Sequence, residues 1–502
     1  MKRPNILWLT TDHHIFANHY DYQPSYKGKL AAFERLCQEG MKFQQAYSVC
    51  PLCTPARASM LTGQYPHNHG MILNTPENAT DEKAAGTRID FDTPKQLIGA
   101  ALKQQGYRIA QFGKWYGGGK TADAFGFEGW TLPWYGNPMR TEAYGTYRER
   151  NHLPEPEVEV VWSANEPETI GKRYNLTKPY RYAFGPFSAA RRMLVPKECH
   201  EAYMTASFAQ DWLIDYVNQK EQSPFFLKVD VWGPHHPYDV APPFEGRVKP
   251  EDLLPLPSFE DDYTDKPNQY CQVKARWNQI AEMKWAEMRN IIAMSYEHGM
   301  LVDDALGGIL SLLDELKLTQ NTLVIYTADH GDLLGAHGGL FNKEGLMVEE
   351  TMRIPLAIRW PGHLSPGQKG QGFASNLDIP ATVLAAAGAT PDYLMDGINL
   401  LAESRTQLMS ESFGCFVREH EQRMLRWENY KYIAHLSGEE ELYDLDRDRF
   451  ELANLAAVKA YRTTLMAGRG RLKEELEKAK DQEFIHFGII CRGMVGQSAN
   501  VQ

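Results

Sequence analysis

Long apolar runs, cysteine and net positive charge are all scarce in this sequence of 502 residues. No apolar run approaches the roughly 18–20 residues that a helix needs to cross a bilayer, so we expect a soluble globular protein with no membrane partner. The seven cysteines are odd in number and scattered, which does not suit a disulfide framework and favours a cytoplasmic location. The 53 basic and 64 acidic residues give a net charge of -11, which argues against a nucleic-acid partner.

The N-terminus has only the beginning of an export signal. Lys2 and Arg3 precede an apolar run at residues 6–9, which ends at Thr10. That run is shorter than the roughly 7–15 apolar residues of a signal sequence, and no small-residue cleavage site follows it. We therefore predict that it forms a buried strand.

Strand-like and helix-like segments alternate over the first two thirds of the chain. Hydrophobic residues make up 43% of the sequence and aromatic residues 11%, which is enough for a large core and excludes a disordered protein. The predicted strands are residues 5–10, 107–112, 225–232 and 322–328, and the predicted helices are residues 30–37, 97–105, 202–219 and 300–317. This alternation predicts an α/β fold with a mostly parallel central sheet flanked by helices on both faces.

The pattern changes after about residue 400. Residues 423–435 and 441–445 are predicted to be adjacent antiparallel strands, and a charged helix follows at residues 471–480. We therefore divide the chain into a larger domain, residues 1–400, and a smaller C-terminal α+β domain, residues 401–502.

An apolar stretch lies near the C-terminus, at residues 484–494. It either packs onto the body of the protein or forms a subunit contact. A homo-oligomer that assembles through this tail is therefore one of the partners we consider.

Polar side chains of the kind that bind metals or anions follow the predicted strands of the large domain. In parallel sheets, ligands bind beyond the carboxyl ends of the strands. The residues at these places are Asp12, His13, Lys114, His235, His236, Asp329 and His330.

The most informative stretch is residues 50–63, CPLCTPARASMLTG. Pro55 favours the first turn of a helix, which places Cys53 at a helix N-terminus, where unpaired N–H groups favour an anion. Arg57 lies one turn further along the same face. Two other interpretations are open: Cys50 and Cys53 form a redox or zinc pair, or Cys53 is a plain buried cysteine.

These residues resemble a known family. Cys53-Thr54-Pro55-Ala56-Arg57, followed by Leu61-Thr62-Gly63, is similar to the sulfatase signature, in which Cys-x-Pro-x-Arg directs oxidation of the cysteine to formylglycine. Further segments that resemble sulfatase motifs, in the family's order, are Arg3 to Asp12, Gly113-Lys114-Trp115, Pro234-His235-His236-Pro237, Asp329-His330-Gly331, Lys343 and Glu441-Leu442-Tyr443-Asp444-Leu445. The resemblance implies an alkaline-phosphatase-like α/β core in the larger domain. It also implies a formylglycine-generating enzyme as a partner during maturation.

The resemblance also implies roles for individual residues. Cys53, oxidised to formylglycine and hydrated to a geminal diol, is the nucleophile that takes up the sulfate, and loss of the second diol proton then expels it. The implied metal ligands are Asp12, Cys53 in its modified form, Asp329 and His330, and they hold one divalent cation, Ca²⁺ by family, with Mn²⁺ or Mg²⁺ as alternatives. The other implied catalytic residues are Arg57, Lys114, Tyr116, His235 and Lys343. The two lysines bind sulfate oxygens, and His235 protonates the leaving oxygen.

Two positions depart from the sulfatase pattern. Many sulfatases have a second acidic residue where this chain has His13, and a histidine where it has Tyr116. His13 is therefore kept as a further metal-ligand candidate, and the missing histidine's role would pass to His235 or His13. Phosphonate monoester and phosphodiester hydrolases of the same superfamily share both departures and also use formylglycine.

Three functions remain open. Hydrolysis of a small sulfated substrate is the primary hypothesis. A phosphonate monoester or phosphodiester hydrolase with the same nucleophile is the first alternative, and an inactive binding protein on the same fold is the second. Aryl, sugar and small alkyl sulfates all fit, because no residue in the sequence identifies the alcohol half of the substrate.

Other polar residues near the motifs have simpler interpretations. Asn74 is either a further oxygen donor to the metal or a turn residue. For His67 and His69, support of the site or the fold is a better interpretation than metal binding. Residues 117–120 are predicted to form a glycine-rich loop, and residues 135–197 a wall of the substrate pocket.

Overall fold

The computed structural model describes residues 3–74, 82, 86–115, 118–181, 189–219, 223–280, 283–415 and 418–486. The strands are β1 (Asn5–Thr11), β2 (Met41–Lys42), β3 (Ala46–Tyr47), β4 (Arg108–Lys114), β5 (Glu128–Leu132), β6 (Glu157–Ser163), β7 (Arg173–Asn175), β8 (Ala189–Met193), β9 (Phe225–Asp230), β10 (Tyr238–Val240), β11 (Thr322–Ala328), β12 (Leu356–Arg359), β13 (Gln368–Lys369), β14 (Ala374–Ser375), β15 (Gln407–Gly414), β16 (Arg418–Trp427), β17 (Tyr430–His435) and β18 (Glu440–Asp444). The longer helices are α1 (Ala31–Glu39), α2 (Cys53–Thr62), α3 (Ile98–Gln104), α4 (Glu142–Arg150), α5 (Glu201–Asn218), α6 (Asn268–Ile280), α7 (Trp285–Glu315), α8 (Ile379–Ala387) and α9 (Arg462–Ala479). Short helical segments lie at Ala17–Tyr20, Pro66–His69, Glu349–Met352 and Gln482–Phe484. Within these described ranges, no helix combines the length and the apolar character that crossing a membrane requires.

The central sheet has eight strands in the order β13-β2-β12-β11-β1-β9-β4-β5. β1 pairs in parallel with β11 and β9, and β4 pairs in parallel with β9 and β5. Only β12 is antiparallel to its two neighbours within this sheet. The mostly parallel sheet predicted from the sequence is confirmed.

Helices cover both faces of this sheet. The side chains of β1 alternate between the two faces and pack against helices on each of them. Leu7 and Leu9 belong to a core that includes residues of α1, α5 and α7. Ile6 and Trp8 belong to a second core, which includes residues of α2, α3 and α8. All four side chains are fully buried, which explains why β1 is a continuous apolar run rather than an alternating one.

Two predicted elements have different bounds in the structure. The helix predicted at residues 300–317 is part of α7, which begins earlier, at Trp285, because its buried stripe runs along the whole helix. The single strand predicted at residues 423–435 is divided into β16 and β17. The chain turns between them at Glu428, whose φ of 46° lies in the left-handed region that a strand cannot contain.

The C-terminal part contains a separate antiparallel sheet in the order β15-β16-β17-β18, and side chains of α9 pack with those of the sheet. This confirms the smaller α+β domain, whereas its boundary at residues 400 and 401 stays a prediction. Phe484, at the start of the apolar tail, is buried against this domain. The rest of the tail, residues 487–502, lies outside the described residues, so assembly through it also stays a prediction.

His67 joins the segment after α2 to the C-terminal domain. Its Nδ1 lies 2.6 Å from Glu411 Oε1, and its Nε2 lies 2.9 Å from the carbonyl oxygen of Ala479. Burial lowers the pKa of His67, but the Glu411 carboxylate outweighs burial and raises it to about 9. Because this exceeds the ordinary value of 6.5, protonated His67 stabilises the fold below pH 6.5, and the stabilisation is lost as the pH rises through 9.

We therefore expect the wild-type protein to lose thermal stability from pH 6.5 to above pH 9, and the His67→Gln variant to lose less. Over this pH range, the wild type should lose on the order of 2 kcal/mol more of its free energy of unfolding than His67→Gln loses. Thermal unfolding of both proteins across this range measures it. The exposed His152 provides the control, because His152→Gln should keep the wild-type pH dependence. Identical pH slopes for wild type and His67→Gln would contradict this account.

Candidate active site

Cys53 is the first residue of α2 and is fully buried. Its Sγ lies 3.0 Å from His330 Nε2 and 3.3 Å from Lys343 Nζ. Pro55 lies in the first turn of the helix, as the sequence predicts. Cys50 and Cys53 are both free, so no disulfide joins them. The cysteine thus faces an imidazole and a cation at a helix N-terminus.

Asp12 and Asp329 come together because they follow neighbouring strands. β1 and β11 are parallel and pair Thr11 with Ala328, so the next residue of each strand lies at the same sheet edge. Asp12, Cys53, Asp329 and His330 each contribute a donor atom, and these four atoms lie within 4.8 Å of one another. The structure therefore groups the residues that the sequence analysis assigns to the metal.

Arg57 binds the carboxylates around Cys53. Its Nε lies 2.9 Å from Asp329 Oδ2, its Nη1 3.1 Å from Asp230 Oδ1 and its Nη2 3.7 Å from Asp12 Oδ1. The sequence analysis does not single out Asp230, although it is the last residue of β9 and so lies at the same edge of the sheet. Its position at a strand end is the signal that could have found it.

Lys114 is the last residue of β4, and its buried ammonium group forms an ion pair with Asp12. Gly113, just before it, has a φ of 100°, and a Cβ there would lie 1.9 Å from the carbonyl oxygen of Asp230. Only glycine allows this close approach of β4 to β9. The Gly-Lys pair is thus needed to bring the Lys114 side chain to the site.

The two metal-candidate carboxyl groups differ in their protonation behaviour. Burial, together with the charge of Asp329, raises the pKa of Asp12. Burial acts on Asp329 as well, but His330 and Arg57 outweigh it and hold the pKa of Asp329 below its ordinary value. Asp12 Oδ1 has no hydrogen-bond partner among the residues that the structure describes. A buried carboxylate oxygen of this kind, beside a second carboxylate and an imidazole, fits a divalent cation.

Lys343 is a buried cation beside the nucleophile position. Burial lowers its pKa, but the nearby Cys53 and Asp12 raise it to about 12, so the ammonium form persists at neutral pH. Its Nζ lies 3.4 Å from His235 Nε2. Lys343 therefore connects the cysteine to the histidine that is predicted to protonate the leaving oxygen.

Three further imidazoles lie beside this group. His13, His235 and His236 each have one ring nitrogen that lies within 4.8 Å of the corresponding nitrogens of the other two. All three residues are buried. Burial lowers the pKa of each ring, and Lys343 lowers it further, so the three rings are neutral at pH 7.

The His13 ring contacts Asp332 and does not belong to the group of donor atoms that contains Asp12 and Asp329. Its Nε2 lies 3.2 Å from Asp332 Oδ2, whereas its backbone N–H donates to Asp329 Oδ1 at 2.9 Å. The imidazole therefore groups with His235 and His236 instead of with the donor atoms around Cys53. The assignment of His13 as a metal ligand stays a prediction.

The remaining candidates have local contacts. Asn74 Oδ1 accepts a hydrogen bond from the Thr54 N–H at 3.2 Å, which supports the first turn of α2. His69 Nε2 lies 3.0 Å from Ser59 Oγ, a contact that holds α2 to the segment after it. Tyr116 lies outside the described residues, so its role also stays a prediction.

Comparison with known proteins agrees with these motifs. The family model "Sulfatase" matches residues 4–389, and the model "N-sulphoglucosamine sulphohydrolase, C-terminal" matches residues 335–482. The multifunctional alkaline phosphatase superfamily protein PehA of Trinickia caryophylli is 26% identical over 86% of this chain and 86% of its own length. An ulvan-active sulfatase of Formosa agariphila is 23% identical over 96% of this chain and 82% of its own. The crystal structure of a phosphonate monoester hydrolase of Agrobacterium radiobacter superposes with a TM-score of 0.70 at 19% identity, covering 95% of this chain and 96% of that one.

The central sheet and its helices form an alkaline-phosphatase-like fold, with the candidate site at the carboxyl edge of the sheet. The chain belongs to the sulfatase family, whose model spans most of the larger domain, and the second model extends into the smaller domain. It is therefore a sulfuric ester hydrolase by class.

Proposed function

We propose that this protein hydrolyses a small sulfate monoester, with Cys53 oxidised to formylglycine as the nucleophile and with one divalent cation. The observation that carries the proposal is the position of Cys53. Its Sγ lies at a helix N-terminus, in contact with Lys343 and grouped with the donor atoms of Asp12, Asp329 and His330. A nucleophile placed there meets both an anion-binding helix end and a cation pocket.

Asp12, Asp329 and His330 would hold the cation. When bound, it supplies positive charge that stabilises an anionic nucleophile and a sulfate oxygen. By family the ion is Ca²⁺, and the imidazole of His330 also suits Mn²⁺, with Mg²⁺ as a further alternative. A hydrated aldehyde at Cys53 supplies one hydroxyl for attack and a second whose proton loss releases sulfate, and its formation requires a formylglycine-generating enzyme.

The chain's own cations bind the sulfate group. Lys114 and Lys343 are fully or almost fully buried, so their charges act in a site with little water to screen them. Arg57 neutralises the carboxylates behind the nucleophile and keeps them from repelling an anionic substrate. His235 lies beside Lys343 and would deliver the proton that the leaving oxygen takes up.

A phosphonate monoester or phosphodiester hydrolase is the second candidate. The specific observation in its favour is His13, which stands where many sulfatases have an acid and whose ring turns to Asp332. One carboxylate fewer at the cation leaves more net positive charge, which suits a phosphoryl group as well as a sulfate.

Hydrolysis of 4-nitrophenyl sulfate beside 4-nitrophenyl phenylphosphonate tests the proposal. We expect the purified wild-type protein to have a kcat/KM for the sulfate at least about 10-fold above that for the phosphonate. Both esters carry one negative charge, but the sulfate offers three non-bridging oxygens to the buried Lys114 and Lys343, and the phosphonate carries a phenyl group in place of one of them. The Cys53→Ala variant is the control for contaminating esterases. A phosphonate rate well above the sulfate rate would replace the primary proposal by the second candidate.

A further inference from the structure

Tyr135, on the segment after β5, touches two sides of the candidate site. Its hydroxyl lies 2.7 Å from His235 Nδ1, and the Lys114 ammonium lies 4.4 Å from the centroid of its ring. The indole N–H of Trp232 donates to the Tyr135 carbonyl oxygen at 3.0 Å and so fixes its backbone. One anchored side chain thus reaches both a cation of the sulfate pocket and the histidine of the leaving-group side.

The contacts of His235 define which ring nitrogen carries the proton. Nδ1 lies 2.6 Å from the carbonyl oxygen of His236 as well as near the Tyr135 hydroxyl. A carbonyl oxygen can only accept a hydrogen bond, so Nδ1 must carry the proton of the neutral ring. Nε2 is then the acceptor, and it faces Lys343 Nζ at 3.4 Å.

We propose that Tyr135 is a positioning residue for departure of the alcohol: its hydroxyl holds the His235 ring with Nδ1 protonated and Nε2 directed at the reacting centre. This inference rests on the proposed function. The His236 carbonyl belongs to the next residue in the chain, whereas Tyr135 anchors the ring from a different segment of the fold. Tyr135 acts through His235 and is not itself the proton donor.

The proton balance of the step is simple. As the bond between the nucleophile's oxygen and sulfur forms and the bond between sulfur and the leaving oxygen breaks, Lys343 Nζ passes a proton to His235 Nε2, which delivers it to the leaving oxygen. Nδ1 of His235 keeps its own proton throughout. The pair of Lys343 and His235 regains one proton from water after the products leave.

This role makes the effect of Tyr135 depend on the leaving group. A 4-nitrophenolate is stable as an anion and leaves with little help from an acid, whereas an alkoxide needs a proton as it leaves. Loss of ring positioning should therefore slow alkyl sulfates much more than 4-nitrophenyl sulfate. A general defect in folding or in sulfate binding would slow both esters equally.

Two variants separate the hydroxyl from the ring. Tyr135→Phe removes the hydroxyl and keeps the ring over Lys114, and Tyr135→Leu removes both. For Tyr135→Phe we expect kcat for an alkyl sulfate to fall about 10- to 100-fold, kcat for 4-nitrophenyl sulfate to fall less than about 3-fold, and KM to change little. Tyr135→Leu should in addition raise KM for both esters. The matched control is Tyr203→Phe, whose lost hydroxyl contacts Asp304 at the surface and which should behave as wild type.

A second measurement does not depend on turnover. In ¹⁵N spectra of the histidine side chains, His235 should be the Nδ1–H tautomer in the wild type and in Tyr135→Phe, because the His236 carbonyl remains. The Nε2 signal should shift in Tyr135→Phe, because the ring is no longer held towards Lys343. The signals of His235 are assigned by their loss in His235→Gln. An unchanged Nε2 signal together with equal rate losses for both esters would overturn the inference. A wild-type protein that hydrolyses no sulfate ester would instead overturn the proposed function, and the Nε2 measurement, which needs no turnover, keeps the two failures distinguishable.

Discussion

Replacing Cys53 by alanine is expected to lower kcat/KM for 4-nitrophenyl sulfate by about 10⁴-fold or more, because a methyl side chain offers no nucleophile and cannot be oxidised to an aldehyde. The fold should persist, since alanine is well tolerated in the first turn of a helix and the lost thiol makes only the contacts to His330 and Lys343 that the structure describes. Initial rates, together with the unfolding temperature of the variant, measure both effects.

Cys53→Ser is the matched variant, because it keeps an oxygen at the same position but lacks the second hydroxyl of the diol. If it remains serine, it should give no steady turnover, and any sulfate that it accepts should stay bound as an ester. The mass of the peptide that contains residue 53 reports both this adduct and, in the wild type, the replacement of the thiol by an aldehyde. More than about 1% residual activity in Cys53→Ala that co-purifies with the protein, and so does not come from a contaminating esterase, would mean that another group is the nucleophile. A fully oxidised but inactive wild type would favour the binding-protein alternative.

Most of the site residues at the carboxyl edge of the sheet could be predicted from the sequence, because each is found from its own strand and the residues that directly follow it. Each buried strand is a short apolar run, and the polar residue that follows it lies at the carboxyl edge of the sheet. Asp12, Lys114 and Asp329 are all found in this way, and the structure places them around Cys53. Asp230 also lies at the carboxyl end of its strand, β9. Apolar residues follow it, so the sequence predicts that the strand continues to residue 232 and does not mark Asp230 as its end.

The parts that could not be predicted depend on backbone geometry and on distant segments. The ring of His13 turns to Asp332 because residue 13 has a φ of 57°, which periodicity does not reveal. The division of β16 from β17 has the same origin, a left-handed residue at Glu428. Tyr135 reaches His235 across one hundred residues of chain, and no motif marks it.

The second large effect is expected for Asp12→Asn, which keeps the size of the side chain and removes its charge. The variant should bind well under one divalent cation per chain and lose about 10³-fold in kcat/KM, because a neutral amide is a poorer ligand than a carboxylate and no longer balances Lys114. Metal analysis after exhaustive dialysis against a chelator and reloading with Ca²⁺ or Mn²⁺ measures the first effect. Rates on 4-nitrophenyl sulfate measure the second.

Asp230→Asn is the control that separates ligation from net charge. Asp230 also pairs with Arg57, at 3.1 Å, but it does not belong to the group of donor atoms around Cys53. Its variant should therefore keep the bound cation and lose less than about 10-fold in activity, although its unfolding temperature should fall, because Asp230 also pairs with the buried Lys228. If both variants lost the cation equally, the total negative charge around Arg57 would govern binding, and Asp12 would not be a specific ligand. Retention of the cation by Asp12→Asn would assign the ion to Asp329 and His330 with a different third donor, and His13 would then be the first residue to test.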